Sequence, residues 1–306
     1  MSNGSTGKAM NRDPVSEGPA VVALGGGHGL ASSLKALRCY ASQITGIVSI
    51  GDDGGSSGRL RDEIGAAPPG DIRRCLLALA TNESLLTRSL EHRFDDGSLR
   101  GHPIGNLLLS GLSMAAGDFQ AAIDEVARLV DAAGKIYPAS EGPVTLIADS
   151  DNGTLSGQVN VELAEGIRNL RFQPAQPTSC QAAIDAILAA DQVVVGPGSL
   201  YTSVLAAAIV PPVLAALKAT SAQRIFVANI ANEKGEARGF GLGEHLEVVA
   251  DHGLSIDVVL TDMSITSVPV SASLVMADLA AADGWSHDSK KLGAALSDMY
   301  ETRHVR

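Results

Sequence analysis

Large rings are nearly absent: Phe, Trp and Tyr make up 3% of the 306 residues. The core must then be filled by Ala, Val, Leu and Ile. With 33 glycines available for turns, that suits a parallel α/β sheet better than a β-sandwich. Cysteine is scarce too. Cys39, Cys75 and Cys180 lie far apart and form no C-x-x-C pair, so neither a zinc site nor a disulfide framework is indicated. Basic charge is in deficit, with 23 Lys and Arg against 34 Asp and Glu, a net charge of −11. No dedicated nucleic-acid surface is expected, because phosphate neutralisation needs clustered cations, although a small anion can still bind in a local basic pocket. No apolar run reaches membrane-spanning length. Residues 1–18 are polar and lack the apolar stretch of a signal peptide, so we read them as a disordered arm on a cytosolic protein.

What is present begins with residues 20–74. Ala20–Leu24 is a short run of small and β-branched residues, the pattern of a strand buried on both faces. Gly25, Gly26, Gly27, His28 and Gly29 follow, and then Leu30, Leu34 and Leu37 recur at helical spacing. Strand, glycine turn and helix together form an anion cradle, since a helix start carries unpaired N–H groups and partial positive charge. The run lacks the Lys-Ser/Thr ending of a Walker A loop. It also fails a strict G-x-G-x-x-G, because Leu30 takes the last glycine's place; Gly27, Gly29 and Ser32 make a shifted near-match. The next strand, Ile44–Ile50, runs into a loop holding Asp52, Asp53, Gly55, Ser56 and Arg59, too polar for core. Loops after neighbouring parallel strands share one edge, so both should face one crevice.

Further along, Pro68-Pro69-Gly70-Asp71 reads as a turn, with Asp71 capping a helix from Ile72 to Ala80. Arg73 and Arg74 sit in its first turn, where the helix dipole disfavours cations unless an anion is near. His102 and Asn106 frame a glycine-bracketed helix start and suit either a ligand or a cap. Residues 136–172 change character. Val144–Asp149 and Thr154–Leu163 alternate around Asp151-Asn152-Gly153, a hairpin signal, and Arg168–Phe172 offers a third strand. We expect a small antiparallel insertion serving as a lid or as a contact in a homodimer. The parallel pattern resumes with Gln192–Val195, followed by Gly198, Ser199, Tyr201 and Thr202 at a helix start. Asn229 ends the strand Arg224–Val227, placed to meet a base or sugar. Ile256–Leu260 and Ser273–Ala277 read as later strands. The fold expected is one Rossmann-like, doubly wound α/β domain over residues 19–306.

Taken in order, GGGHGL (Gly25–Leu30), IGDDGGSSGRLR (Ile50–Arg61), PPGDIR (Pro68–Arg73), GHPIGNLLL (Gly101–Leu109) and GPGSLYTS (Gly196–Ser203) resemble the blocks of YvcK-type proteins, also called gluconeogenesis factors. These group with the CofD-like phospholactate transferases, and the GGGHG form is similar to actinobacterial members. The resemblance covers the chain from Ala20 to about Asp298. It implies a Rossmann-like fold, a cytosolic location and binding of UDP-sugars such as UDP-N-acetylglucosamine. It also implies a role in cell shape and wall metabolism during gluconeogenic growth, with no established catalytic reaction and so no catalytic residue to transfer. Ser286 stands before His287-Asp288 where the family often has a basic residue.

Three functions follow. The first is a regulatory protein with a sugar nucleotide's diphosphate on Gly26–Leu30, assisted by Arg59 or Arg73. The second is a CofD-like transferase in which Asp52 and Asp53 hold Mg²⁺ between phosphates. The third is a nicotinamide oxidoreductase, for which Asp52 lies near the spacing of a ribose-binding acid but the glycine fingerprint is broken.

Overall fold

Runs of Val, Ile and Ala too short for helices pair into a seven-stranded sheet in this computed structural model, which describes residues 17–231, 235–265 and 272–304. The strands are β1 (Ala20–Gly25), β2 (Gln43–Val48), β3 (Lys135–Pro138), β7 (Gln192–Val195), β8 (Gln223–Val227), β9 (Val258–Asp262) and β10 (Ser273–Ala277). All neighbours are parallel, in the order β10-β9-β8-β7-β1-β2-β3. A small antiparallel sheet, β5-β4-β6, is built from β4 (Thr145–Ser150), β5 (Gly153–Ser156) and β6 (Leu170–Gln173). The Rossmann-like, doubly wound α/β class expected from the sequence is therefore the observed one.

Alternation along each central strand feeds two cores. Val22 and Leu24 of β1 pack with Val193, Val195 and Tyr201 on one face; Val21 and Ala23 pack with Leu30, Leu34, Ile72 and Leu76 on the other. The chain leaves β1 toward β2 and β3, then returns to place β7 on β1's other side. The carboxyl ends of β1, β2 and β7 thus bound a topological switch point, the crevice where open parallel sheets bind ligands.

The helices that matter here are α1 (Gly27–Leu37), α2 (Gly55–Ile64), α3 (Gly70–Leu79), α4 (Leu85–Glu91) and α5 (Ile104–Ala116). Three expectations need correction. The polar stretch after β2 is not a loop throughout: from Gly55 it is helix α2. Thr154–Leu163 is not one strand, because β5 ends at Ser156 and Gln158–Glu162 is a short helix. Residues 136–138 belong to the main sheet as β3, so the antiparallel part begins after them. Of the arm expected over residues 1–18, residues 1–16 lie outside the described residues.

Candidate functional site

Three helices begin at the switch point. The first, α1, leaves β1 through Gly26, whose backbone is extended. Gly26 has no room for a Cβ, which would stand 2.7 Å from Ser49 Oγ and 2.8 Å from Asp71 Oδ2. Gly29 is more constrained, since its Cβ would lie 2.0 Å from the Pro197 carbonyl oxygen. Gly26 thus permits the close approach of Ser49 and Asp71, and Gly29 that of the loop after β7. The second, α2, follows β2 and has Gly54 at its cap position, with no side-chain cap. The third start, Leu200–Leu205, follows β7 as a wide π-helical turn.

Carboxylates already cap two of these starts. Asp71 does not cap its own helix α3. Its Oδ2 instead accepts from the Gly27 N–H of α1 at 2.6 Å, and its Oδ1 pairs with Arg74 at 2.5 Å. Glu236 Oε1 accepts from the N–H groups of Tyr201 and Thr202, at 2.7 and 3.1 Å. At the start of α2 the Asp52 carboxylate accepts only from the N–H of the cap residue Gly54, at 2.9 Å, and among the described residues no carboxylate takes the first-turn N–H groups beyond it.

Between the three lies a cleft of about 500 Å³. Of the residues singled out from sequence, Gly26, Gly27, His28, Gly29, Asp52, Gly55, Ser56, Asp71, Arg73, Asn106, Gly198, Ser199 and Thr202 line it. Seven do not. Gly25 ends β1, and Leu30 is core. Asp53 turns away, and its two carboxylate oxygens accept from the Gln158 and Val159 N–H groups, each at 3.0 Å. Arg59 donates to the Arg100 carbonyl at 2.8 Å. His102 is buried behind Ser56, its Nδ1 2.8 Å from Ser56 Oγ. Tyr201 donates its hydroxyl to the Ile167 carbonyl in the core. Asn229 bonds both backbone groups of Gly198, through Oδ1 at 2.9 Å and Nδ2 at 3.1 Å, and lines a neighbouring cavity of about 370 Å³ with Phe226, Phe240 and His245.

Sequence reasoning missed several wall residues. Gly54, Ser57, Gly70 and Ser203 lay inside segments already under suspicion, next to residues chosen, while Arg74, flagged with Arg73 for a nearby anion, does line the cleft. Arg93, Gln158 and Glu162 carried no local signal; the last two come from the insertion, which therefore closes one side of the cleft. Burial raises the Asp52 pKa above the ordinary carboxylate value. His28 is exposed, and partial desolvation, with Arg74 adding to the effect, lowers its pKa from the ordinary imidazole value. Burial, with Arg74 and Arg93 nearby, pulls Arg73 down to about 10. As to metal, Asp52 and Asp53 do not converge, so this adjacent pair does not fit a shared divalent cation. No cluster of three or more His, Cys, Asp or Glu is found among the described residues.

A doubly wound parallel sheet with an arginine-bearing cleft of about 500 Å³ at its switch point is the arrangement in which open α/β proteins bind phosphate-bearing ligands. The particular family follows from comparison: residues 21–303 match the sequence model described as 2-phospho-L-lactate transferase CofD, and the chain belongs to that family. A gluconeogenesis-factor relative from Mycobacterium tuberculosis is 41% identical over 305 residues, spanning 90% of this chain and 89% of its own. The gluconeogenesis factor of Halalkalibacterium halodurans is 38% identical over 255 residues, spanning 82% of this chain and 78% of its own. A crystal structure of a UPF0052-family protein from Bacillus halodurans superposes with a TM-score of 0.86 at 33% identity, covering 92% of this chain and 99% of its own. Among the described residues no single helix is long and apolar enough to cross a membrane.

Proposed function

We propose that the cleft binds a nucleoside diphosphate sugar of the UDP-N-acetylglucosamine class. On this reading the protein is a cytosolic regulator of cell shape and wall metabolism during gluconeogenic growth, rather than a catalyst. The observation that carries the binding claim is the convergence of three helix starts with Arg73, Arg74 and Arg93 on one cleft. The adjoining cavity, walled by Phe226, Phe240 and His245, has the size and ring surface for a heterocycle. Between them the Gly198–Asn229 pair forms a fixed partition. The gluconeogenesis-factor name of the relatives supports the link to gluconeogenic growth alone.

One observation favours a second reading, a transferase of phosphorus-containing groups. The matched family model is named for such an enzyme, and Asp52 stands in the cleft. A single panel separates the two. UDP-N-acetylglucosamine without metal should raise the melting temperature, because a ligand that prefers the folded state adds about 2.7 kcal/mol at a hundredfold excess over Kd. A shift with GDP and Mg²⁺ but not with the UDP-sugar favours the transferase. A shift with NAD alone discards both.

A further inference from the structure

The glycine run after β1 is the obvious place for a phosphate, yet its first donor is spent. Asp71 holds the Gly27 N–H, and an anion there would meet that carboxylate. The start of α2 differs. Gly54 accepts the Gly58 N–H as the helix begins and gives its own N–H to Asp52 Oδ1 at 2.9 Å, but among the described residues no side chain takes the N–H groups of Gly55, Ser56 and Ser57, three residues that line the cleft.

A second, independent observation lies beside that turn. Arg73 is 5% exposed, and its Nε has no hydrogen-bond partner. Its one hydrogen bond among the described residues is a long contact of 3.4 Å from Nη1 to the Leu90 carbonyl at the end of α4. Gly105 of α5 is what makes room for it, since a Cβ there would stand 2.7 Å from Arg73 Cδ. Arg93 joins it on the wall and donates to the Gly101 carbonyl at 2.7 Å. Neither arginine pairs with a carboxylate among the described residues. Burying a guanidinium beside other cations with no direct ion pair is costly, even with Glu91 and Asp71 acting at a distance, and an anion in the cleft would offset that cost. Asn106, 2% exposed, donates Nδ2 to Ser56 Oγ at 3.0 Å, and its Oδ1 is left without a partner. That oxygen is an acceptor, suited to a hydroxyl or N–H carried next to the anion.

We propose that the first turn of α2, with Arg73 and Arg93, is the phosphoryl-anion site of the cleft. Asn106 receives a hydroxyl or N–H donor on the same ligand. Phosphoesters with a neighbouring hydroxyl, sugar phosphates and sugar diphosphates among them, are the chemical class that satisfies all four groups. The inference deepens the sugar-nucleotide reading by placing its phosphates, but the anion site stands without that reading.

The test titrates the whole chain with inorganic pyrophosphate, UDP, UDP-N-acetylglucosamine and uridine, following backbone amides by heteronuclear NMR with ¹⁵N-glycine and ¹⁵N-serine labels. Pyrophosphate should move the Gly55, Ser56 and Ser57 amides. Arg93→Gln, at an exposed position, should weaken pyrophosphate and UDP by about tenfold while uridine binding is unchanged, as expected for one charge-assisted contact. Arg73→Lys keeps the charge but loses the fork, and should weaken both phosphate ligands in the same way. Shifts confined to Gly27 and Gly29, an unchanged affinity in Arg93→Gln, or no pyrophosphate binding at millimolar concentration would each overturn the proposal. Pyrophosphate binding at α2 with no response to UDP-N-acetylglucosamine would leave the anion site in place and remove the sugar-nucleotide reading instead.

Discussion

Single atoms decide what the start of α1 can be. At Gly29 the obstacle is the Pro197 carbonyl, a backbone atom that cannot rotate away. Gly29→Ala should therefore separate α1 from the loop after β7 and destabilise the fold by about 3 kcal/mol, read from urea midpoints. A neutral result would mean that the two segments do not approach as described. Asp71 is a different kind of constraint, because its carboxylate does the work of a bound anion. Asp71→Asn keeps a hydrogen-bond acceptor for Gly27 but removes the charge facing the cleft and releases Arg74. We expect pyrophosphate affinity to rise severalfold in this variant, at a stability loss of about 1 kcal/mol. A fall in affinity, measured by calorimetry without metal, would show that the carboxylate itself contributes to binding.

At the scale of elements, the insertion is tied to the site by one residue. Asp53 accepts from the first N–H groups of the helix Gln158–Glu162 and so acts as its cap from more than a hundred residues away. Asp53→Ala should cost about 1 kcal/mol and show faster amide exchange over residues 158–162, with α1 unaffected. Uniform loss of protection across the sheet would instead make Asp53 part of the global core. The same contact explains what could and could not be read in the chain. The parallel strands, the glycine turn before α1 and the convergence of loops at one rim were legible, because buried runs such as Val193–Val195 and the leucine spacing of α1 are local signals. Helix α2 was not. Gly55-Ser56-Ser57-Gly58 are poor helix formers, and what holds them is tertiary: Ser56 Oγ lies 2.8 Å from His102 Nδ1 and accepts from Asn106 Nδ2 at 3.0 Å, partners some fifty residues away. Gln158–Glu162 was hidden for a related reason, since Val159, Val161 and Leu163 imitate strand alternation while the cap that makes a helix of them is remote. Arg93 reaches the cleft only through the packing of α4 and α5, which no local pattern encodes.

Across the whole molecule, burial has shifted several protons in a way that a pH series can read. His28, His102 and His287 all have pKa values lowered from the ordinary imidazole value, and burial is the largest cause in each. A histidine with a depressed folded pKa binds its proton more readily when unfolded. Its contribution to stability is present above the unfolded value, near 6.5, and is lost as pH falls through the folded one. Asp52 works in the opposite direction: burial raises its pKa, so its contribution is present below the ordinary carboxylate value and is lost as pH rises through the folded value. Asp262 enters last. Burial alone would raise it, but hydrogen bonds from Ser264 and from the Leu279 and Ala280 N–H groups outweigh that and hold it at about 2. Its share is present above the unfolded carboxylate value and disappears only as pH falls from there toward 2. The unfolding free energy should then decline from pH 7.5 to 5.5, each histidine adding at most about 1.4 kcal/mol per pH unit to the slope. It should fall again in strong acid. Asp52→Asn removes an opposing group, so its decline as pH falls toward the ordinary carboxylate value should be steeper than in the unmodified protein. Urea titrations at half-unit steps of pH measure both slopes, and a stability that stays level or rises on going from pH 7.5 to 5.5 would mean the three imidazoles are not held neutral by the fold.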